Sequence, residues 1–313
     1  MTTSELSLFI RNQARLLGFD ACDFARIEPL PDEVQLNVET WLKKDFHGEM
    51  SYMGRNLDKR LDPRLLVEGC RSMVVVALNY ATSASQMPTA PKVARFAYGL
   101  DYHSIIRGKL NQLMDKIREQ GLEVNGRAFS DSAPILERYW AWKAGLGWLG
   151  KNQNLILPGN GSYLLLGELL IDLELDYGTP LENHCGSCTK CLEACPTKAL
   201  DGKRLDARRC LSYLTIEKKG PFSVEESILV GGNDWIFGCD ICQEVCPWNR
   251  FAKNNYTVEF QPTEHFLKLD ESKFRKLNEA SFKAYFSGTC LERTGLDGLQ
   301  RNLTAKQKSR LPF

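Results

Sequence analysis

Two short cysteine-rich runs constrain the fold of this chain more than any other feature. The first, CGSCTKCLEACP, begins at Cys185 and has the spacing C-x2-C-x2-C-x3-C-P. The second, CDICQEVCP, begins at Cys239 and repeats the pattern with one cysteine fewer. The first spacing is typical of bacterial ferredoxins with two iron–sulfur clusters, in which the fourth cysteine of a run binds the other cluster. The sequence therefore predicts two [4Fe–4S] clusters that are close enough to exchange electrons.

The second run lacks one ligand, and Cys210, in the segment DARRCLSYL between the two runs, is the natural candidate. The predicted ligand sets are therefore crossed. One cluster takes Cys185, Cys188, Cys191 and Cys246, and the other takes Cys195, Cys210, Cys239 and Cys242. The other three cysteines, Cys22, Cys70 and Cys290, are interpreted as ordinary buried or half-buried thiols.

Other uses of these cysteines fit less well. Zinc sites usually combine C-x2-C pairs separated by a loop, whereas three thiols at successive two-residue gaps suit the faces of an iron–sulfur cube. The radical-SAM spacing C-x3-C-x2-C is absent. A disulfide framework is disfavoured because the cysteines are clustered and no export signal opens the sequence.

Composition indicates an ordinary globular protein with 43% hydrophobic residues, 25% charged residues and a net charge of +1, so bulk charge does not predict polyanion binding. The opening residues, MTTSELSLFIRNQARLLGF, predict an amphipathic helix instead of a signal peptide. The longest apolar run, YLLLGELLIDL, contains Glu168 and is too short to cross a bilayer. We therefore expect a cytoplasmic monomer that does not associate with membranes.

The segment before the first cysteine run, residues 1–184, is longer than an electron carrier alone would need. Periodicity predicts helices over 4–17 and 32–46, in DYHSIIRGKLNQLMDKIREQG and, beginning at Pro134, in PILERYWAWKAG. It predicts strands in FDACDFARI, SMVVVALNYA and LEVNGRAFSD, and two strands joined by a turn in NLILPGNGSYLLLGELLID. The predicted fold class is α+β: an N-terminal α/β domain (1–180), a bacterial two-[4Fe–4S] ferredoxin-like domain (181–252) and short C-terminal helices (253–313).

The junction AFSDSAPILER contains the residue of the N-terminal domain that is best placed for chemistry. Asp131 ends a predicted strand just before a helix, where α/β proteins often place reactive groups. Asp131, or Ser132 beside it, could equally cap that helix. A capping aspartate has a low pKa, whereas a proton donor at neutral pH needs burial to raise it. No GxGxxG follows a strand, and GLGWLGK lies at a helix end without the dinucleotide-binding pattern.

Segments from both halves together resemble the epoxyqueuosine reductase family, which performs the last step of queuosine synthesis in tRNA. The matching segments are KRLDPRLL, YGLDYH, DSAPILER, GLGWLGKN, NGSYLLLGELL, CGSCTKCLEACPTKAL, RRCLSYLTIE and GCDICQEVCPWN. The resemblance implies a cobalamin in the N-terminal domain, beside the nearer iron–sulfur cluster. It also implies a two-electron reduction of the epoxide on a modified base at the tRNA wobble position.

The same resemblance implies roles for individual residues. Asp131 matches the family's proton donor, and Arg60 matches a corrinoid contact. Further cofactor contacts are expected from Leu155, Ser162, Tyr163, Ser212 and Asp240. The family wording D-T-G is D-S-A here, which is expected to reshape the loop after the acid. Many members carry a helical-repeat tail beyond the cluster domain, and this chain, which ends at Phe313, is expected to bind tRNA without one.

Other residues near these segments are candidates for cobalt or tRNA contacts. DYHSIIRG approaches the corrinoid motif D-x-H-x-x-G, but Gly108 comes one residue late, so His103 is interpreted as a helix-start residue. Trp248 or Tyr256 is a candidate to stack on an unpaired base. Candidate phosphate contacts on the rim of the cluster domain are Lys218, Lys219, Arg250, Lys253, Arg301, Lys306, Lys308 and Arg310.

Two other functions remain open on sequence alone. A dehalogenating corrinoid iron–sulfur reductase would share the cofactors, but such enzymes typically carry a twin-arginine export signal. The single Arg-Arg pair of this chain, Arg208–Arg209, lies inside the cluster domain instead. A non-enzymatic electron-transfer subunit is the second alternative, and its large N-terminal domain would bind no cofactor. For the reductase, the expected electron donor is a low-potential flavodoxin or ferredoxin.

Overall fold

The structure is a computed structural model that describes the backbone of residues 1–308 and the side chains of residues 1–306. Its strands are β1 (Ala21–Arg26), β2 (Ser72–Asn79), β3 (Lys92–Val93), β4 (Gly126–Phe129), β5 (Trp148–Leu149), β6 (Leu155–Ile156), β7 (Leu164–Ile171) and β8 (Trp235–Phe237). Its helices are α1 (Thr3–Leu16), α2 (Asp32–Lys43), α3 (Leu57–Leu61), α4 (Tyr102–Arg118), α5 (Glu137–Lys143), α6 (Lys190–Ala194), α7 (Leu211–Ile216), α8 (Val224–Gly231), α9 (Ile241–Glu244), α10 (Glu264–Leu267), α11 (Glu271–Arg275), α12 (Glu279–Phe286) and α13 (Gly295–Lys308). Within this described part, every helix is too short or too polar to cross a bilayer.

A four-stranded antiparallel sheet organises the first half of the chain. Its strand order is β1-β2-β7-β4, so β7 is hydrogen-bonded on both sides and β4 lies at an edge. Helices α1 and α4 pack on one face of the sheet, and α5 packs on the other. Because the sheet is antiparallel and its helices cover both faces, the predicted α+β class is confirmed.

Strand β2 is buried along its whole length because alternate side chains enter two different cores. Val74, Val76 and Leu78 face α1 and α4, whereas Met73 and Val75 face α5. On the neighbouring strand, Gly167 allows α4 to approach closely, since a Cβ there would lie 2.4 Å from the Ile106 side chain. The continuous apolar sequence of β2 is therefore the consequence of a sheet that is covered on both faces.

One local prediction is wrong. The helix predicted to begin at Pro134 begins at Glu137, and before it the Ile135 N–H donates a hydrogen bond to the Ala133 carbonyl. Leu136, with ψ of 71°, lies outside the helical region of backbone angles, so the helix starts only after it. The two strands predicted in NLILPGNGSYLLLGELLID are present as β6 and β7 and are joined by a turn. They lie in different sheets, because both edges of β7 are occupied by β2 and β4, and β6 pairs with β5.

The second half is built around the short parallel pair of β3 and β8. Side chains from residues 93–102, from α7 and β8, and from α10–α13 share one hydrophobic core. Asn302 of α13 is fully buried, and its amide donates hydrogen bonds to the carbonyl oxygens of Thr215 (2.9 Å) and Ile236 (2.8 Å). The C-terminal helices are therefore integral to the packing of the cluster domain.

We expect Asn302→Ala to lower the free energy of unfolding by about 2–4 kcal/mol, because two buried carbonyl oxygens would lose their donors. The measurement is thermal unfolding of the anaerobically purified variant. Thr304→Ala, an exposed change on the same helix, is the matched control and should stay within about 0.5 kcal/mol of wild type. Equal melting temperatures for Asn302→Ala and wild type would contradict an anchoring role of this side chain.

Candidate active site beside two groups of thiols

One group of the predicted cluster ligands surrounds a cavity of about 260 Å³. The thiols of Cys185, Cys188 and Cys191 reach it from the first run, and that of Cys246 reaches it from the second. Lys151 holds the first run in place by donating hydrogen bonds from Nζ to the carbonyl oxygens of Gly186 (2.7 Å) and Cys188 (3.0 Å). These four cysteines are therefore brought together across the two runs, in the arrangement that the spacing predicts.

The other four cysteines form a second group. Burial raises the pKa of the Cys242 thiol, and the neighbouring charges of Cys239, Cys210 and Cys195 raise it further. Burial also raises the pKa of Cys210, an effect that the backbone N–H groups of Tyr213 and Ser212 partly offset. Thiols in such surroundings keep their protons until a metal ion displaces them. Ser212 lies next to this group at the start of α7, half-buried.

A buried polar network joins the second group to the sheet. Asp240, only 1% exposed, accepts a hydrogen bond from the Arg95 backbone N–H at 2.8 Å. The Arg95 guanidinium in turn donates to the Tyr163 hydroxyl at 3.1 Å. Gln243, on α9, accepts from the Ser162 hydroxyl at 3.0 Å. Burial raises the pKa of Asp240 to about 6. Three predicted cofactor contacts (Ser162, Tyr163 and Asp240) thus lie in one interface with their side chains already hydrogen-bonded.

Asp131 lies in the loop after β4, with a positive φ of 57°. Its backbone N–H donates to a carboxylate oxygen of Glu137, and the preceding Ser130 hydroxyl donates to the Leu166 carbonyl at 2.9 Å. Its own carboxylate does not cap α5, whose N-cap position is Leu136. Of the two roles that the sequence left open, capping is therefore excluded in this conformation.

The Asp131 carboxylate contacts two cationic side chains. Its Oδ2 lies 2.9 Å from Nε2 of His103 and 3.4 Å from Nη1 of Arg293. His103 is the second residue of α4, as predicted, and its Nδ1 contacts the carboxylate of Asp101, the N-cap residue. The imidazole is thus held between two carboxylates, and both of its nitrogens are engaged.

The pKa values of this pair favour the charged forms. Burial alone would raise the pKa of Asp131, but the hydrogen bond from His103 and the charges of His103 and Arg293 outweigh it and lower the pKa. Burial alone would lower the pKa of His103, but the hydrogen bonds with Asp131 and Asp101 outweigh it and raise the pKa. Both shifts favour the form in which His103 carries the proton of the pair and Asp131 is ionised, so in this conformation Asp131 is not the neutral acid that a proton donor requires.

Asp131, Arg138 and the second thiol group lie in one region, here called the cleft. The Asp131 side chain is 44% exposed, although protein surrounds it closely enough to shift its pKa. Burial lowers the pKa of Arg138, while the charges of Asp131 and Cys210 both act to raise it, so Arg138 lies near both the Asp131 loop and that group. Arg60 is 5% exposed, donates to the Tyr52 carbonyl at 3.3 Å, and its Nε has no partner within residues 1–308. Accessible charges and one buried unpaired donor fit a large polar cofactor.

Leu155 differs from the other predicted cofactor contacts. Its side chain is 3% exposed and belongs to the hydrophobic core between the sheet and α5. The structure therefore does not bring the Leu155 side chain into the polar part of the cleft.

The three cysteines outside the two groups are half-buried or buried, and the thiol of Cys290 donates to the Asp101 carboxylate at 3.7 Å.

A buried pair of carboxyl groups supports the Asp131 loop. Glu168, in the middle of β7, is fully buried, and no N–H or hydroxyl group within residues 1–308 donates to either of its oxygens. Its hydrogen-bonding partner is the carboxyl group of Glu137, so at least one of the two must be protonated. Burial raises the pKa of Glu168 well above its ordinary value, and burial with the charge of Asp131 raises the pKa of Glu137 to about 7.

The sequence did not identify Glu137, Glu168 or Arg293 as parts of this site. Glu168 carried a usable signal, because a charged residue inside an apolar strand sequence needs a reason to be buried. Arg293 carried none, because its contact with Asp131 joins residues that are distant in the chain.

Several basic residues predicted to contact tRNA phosphate have internal partners instead. Lys218 pairs with Glu49 and Glu226, and Lys306 is 3% exposed and pairs with Glu271. Arg301 donates to the carbonyl oxygens of residues 218 and 220. These three side chains are not available to bind phosphate, because they already form ion pairs or hydrogen bonds within the protein. Arg310 and the side chain of Lys308 lie outside the described residues. For base stacking, Trp248 already packs against Trp148 with ring centroids 4.8 Å apart, whereas Tyr256 is 91% exposed.

We expect Glu168→Gln to make the melting temperature less dependent on pH. In the folded protein Glu168 keeps its proton, whereas an unfolded glutamic acid loses it near pH 4.3, so the wild-type free energy of unfolding falls as pH rises above that value. The fall is about 1.4 kcal/mol per pH unit until the folded pKa is passed. Glutamine has no proton to lose, so the stability of the variant relative to wild type should increase between pH 5 and pH 8. Glu123→Gln, on the surface, is the matched control, and a Glu168→Gln difference that stays constant with pH would contradict the shared proton.

Both halves of the chain match models of known protein families. Residues 60–132 match the family model described as "Epoxyqueuosine reductase QueG, DUF1730". Residues 184–249 match a "4Fe-4S double cluster binding domain". The second match contains every cysteine of the two thiol groups, and the first ends one residue after Asp131.

Solved structures of epoxyqueuosine reductases have the same fold. One, bound to an epoxyqueuosine-modified stem loop of tRNA-Tyr, is 29% identical and aligns with a TM-score of 0.84 over 96% of this chain and 80% of that one. Another, from Bacillus subtilis, is 28% identical with a TM-score of 0.83 over 96% and 81% of the two chains, and its catalytic aspartate loop is swung out of the active site.

Curated relatives agree over nearly the whole chain. The epoxyqueuosine reductase of Cellulophaga algicola is 42% identical over 96% of this chain and 98% of its own length. That of Leadbetterella byssophila is 43% identical over 94% and 96%, and that of Pseudomonas aeruginosa is 40% identical over 96% and 84%. With full-length relatives, a matching fold and both family models in agreement, the chain belongs to the epoxyqueuosine reductase family.

Proposed function

We propose that this protein reduces the epoxide of epoxyqueuosine in tRNA to the alkene of queuosine, with a cobalamin and two [4Fe–4S] clusters as its cofactors. The observation that carries the proposal is that Arg138 lies near both the Asp131–His103 pair and the second thiol group. Such a cleft offers a proton source and an electron source to the same bound molecule. The relatives named above, including the one bound to an epoxyqueuosine-modified stem loop, support the choice of substrate.

The cluster ligands follow from the two thiol groups. Cys185, Cys188, Cys191 and Cys246 hold the outer cluster, and Cys195, Cys210, Cys239 and Cys242 hold the inner one, which lies nearer the cleft. Electrons enter from a low-potential flavodoxin or ferredoxin, one at a time, and two are needed for each turnover. We expect the protein to act in the cytoplasm as a monomer.

The cofactor fits the cleft between the N-terminal domain (1–180) and the cluster domain (181–252). Arg60 has a buried Nε without a partner and Arg138 lies in the wall, so both can bind polar groups of a corrinoid. Ser212 and Asp240 lie on the cluster side, and Ser162 and Tyr163 immediately precede β7 of the large sheet. Leu155 lies in β6, and its side chain belongs to the core beside α5. A bound cobalamin would supply the low-potential electrons at the substrate. His103 is not a cobalt ligand in this scheme, because both of its nitrogens contact carboxylates.

Proton supply is the task of Asp131 and His103. The epoxide takes up two electrons and two protons and yields an alkene and water, so the leaving oxygen must be protonated. The imidazolium Nε2 of His103 passes a proton to Oδ2 of Asp131, 2.9 Å away, and Asp131 delivers it to the leaving oxygen. Bound substrate and cofactor would exclude water from the cleft, which raises the pKa of Asp131 and favours the transfer. The N–H of Asp131, held by Glu137, keeps the loop turned inward.

We expect the reconstituted protein, with a low-potential reductant and tRNA that contains epoxyqueuosine, to remove one oxygen from the modified nucleoside only when cobalamin is present. Mass spectrometry of the digested tRNA measures the change. Asp131→Asn should lower the rate by about 10²- to 10⁴-fold, because general acid catalysis is lost, and Asp115→Asn, at an exposed position of α4, is the control. Intact clusters and bound cobalamin without deoxygenation would mean a different substrate, and failure to bind cobalamin would favour an electron-transfer subunit.

Paired cysteine substitutions test the crossed ligand sets. We expect Cys188→Ala/Cys246→Ala to remove two ligands from the outer cluster alone, so that half of the iron and the electron paramagnetic resonance signal of one reduced cluster remain. Cys188→Ala/Cys195→Ala should damage both clusters and leave no intact signal, since each loses a ligand. Uncrossed ligand sets would give the opposite pattern, and Cys22→Ala is the control that should keep all of the iron.

A further inference from the structure

A second cavity, of about 250 Å³, lies behind the catalytic loop. Its walls come from the loop itself at Ser132 and Pro134, from the edge strand β4 at Arg127, from α4 at Arg107 and from α3 at Lys59. Arg107 lies one helical turn after His103, and Lys59 precedes Arg60. The cavity therefore shares the Asp131 loop, α3 and α4 with the surroundings of the active-site cleft.

The charge of this cavity is unbalanced. Three of its lining side chains are cations, and none of the described lining residues is an acid. Within residues 1–308, the side chains of Lys59 and Arg107 make no hydrogen bond or ion pair, and Arg127 only lies over the Phe129 ring at 5.0 Å. By contrast, Lys218 and Lys306 are ion-paired. In a chain of net charge +1, three uncompensated cations around one concavity make an anion-binding site.

The size of the cavity limits what it can bind. Pockets that enclose a whole drug-sized ligand usually measure roughly 300–1,000 Å³, and this one is smaller. It suits a single anionic group of a larger molecule whose remainder lies elsewhere. Arginine and lysine side chains that converge from separate elements are typical of phosphate recognition. Asn56, also in the wall, adds a neutral hydrogen-bond donor.

We propose that Lys59, Arg107 and Arg127 bind one phosphodiester group of a ligand that occupies the adjacent active-site cleft. The inference rests on the proposed function, which supplies two ligands with such a group: the backbone of the tRNA and the nucleotide portion of cobalamin. In either case the bound phosphodiester would anchor the ligand against the back of the Asp131 loop. Contacts to phosphate position a nucleic acid but do not distinguish its bases. The cavity would therefore position the ligand, and the residues of the cleft would recognise the modified base.

The test compares the double variant Arg107→Gln/Arg127→Gln with wild type, both as anaerobic proteins with their clusters. Arg15→Gln/Lys203→Gln is the matched control, because it removes the same charge at two exposed positions outside the cavity. Two affinities are measured separately: that for an anticodon stem loop without the epoxide, at several salt concentrations, and that for hydroxocobalamin without RNA. Neither measurement requires turnover, so a wrong assignment of the reaction and a wrong assignment of this cavity give different results.

If the phosphodiester belongs to RNA, the double variant loses about tenfold or more in stem-loop affinity, and the slope of log affinity against log salt becomes shallower by about 0.7 or more. If it belongs to the cofactor, hydroxocobalamin affinity falls by a similar factor and the stem-loop affinity is kept. Either result supports the site and identifies its ligand. The proposal is overturned if both affinities match those of the Arg15→Gln/Lys203→Gln control.

Discussion

The meeting of Cys246 with the thiols of the first run is the contact on which the rest of this architecture depends. A residue of the second run can reach that cavity only if the two runs lie side by side, and this brings α6 and α9 together. Helix α9 then carries Gln243 to the end of the large sheet, where it meets Ser162. The second cysteine run thus has two effects. It contributes cysteines to both thiol groups, and through α9 it fixes the position of the cysteine-rich region against the large sheet.

The active site uses groups that are costly to bury in order to orient one accessible carboxylate. Glu168 lies where a strand residue would ordinarily be apolar, and its pairing with Glu137 leaves one oxygen of Glu137 to accept the Asp131 N–H. A buried carboxyl pair contributes little to stability by itself. Its effect here is geometric, since it fixes a loop residue of positive φ whose side chain faces His103.

Local patterns in the sequence predicted most of the fold, and contacts between distant residues account for most of what was missed. The spacing of the cysteines predicted two sites, and the run VVVAL predicted a strand, because both patterns record short-range geometry. The pairing of β6 with β5 depended on which neighbours β7 acquired, and the contact of Arg293 with Asp131 depended on the packing of the whole C-terminal segment. Basic residues such as Lys218 and Arg301 have the same side chains whether they face solvent or the protein, so their charge could not distinguish the two.

The position of the Asp131 carboxylate between two cations has a consequence for motion of its loop. His103 Nε2 and Arg293 Nη1 are only 3.5 Å apart, and the carboxylate is the anion that both of them face. Withdrawing Asp131, as in the relative whose loop is swung out, would leave two positive groups in contact. The pKa of the imidazolium would then fall, because His103 would lose the Asp131 carboxylate and keep a like charge beside it. Opening of the Asp131 loop and loss of the His103 proton are therefore thermodynamically linked. The fraction of molecules with the loop closed and His103 protonated then depends on the proton activity of the surrounding solution.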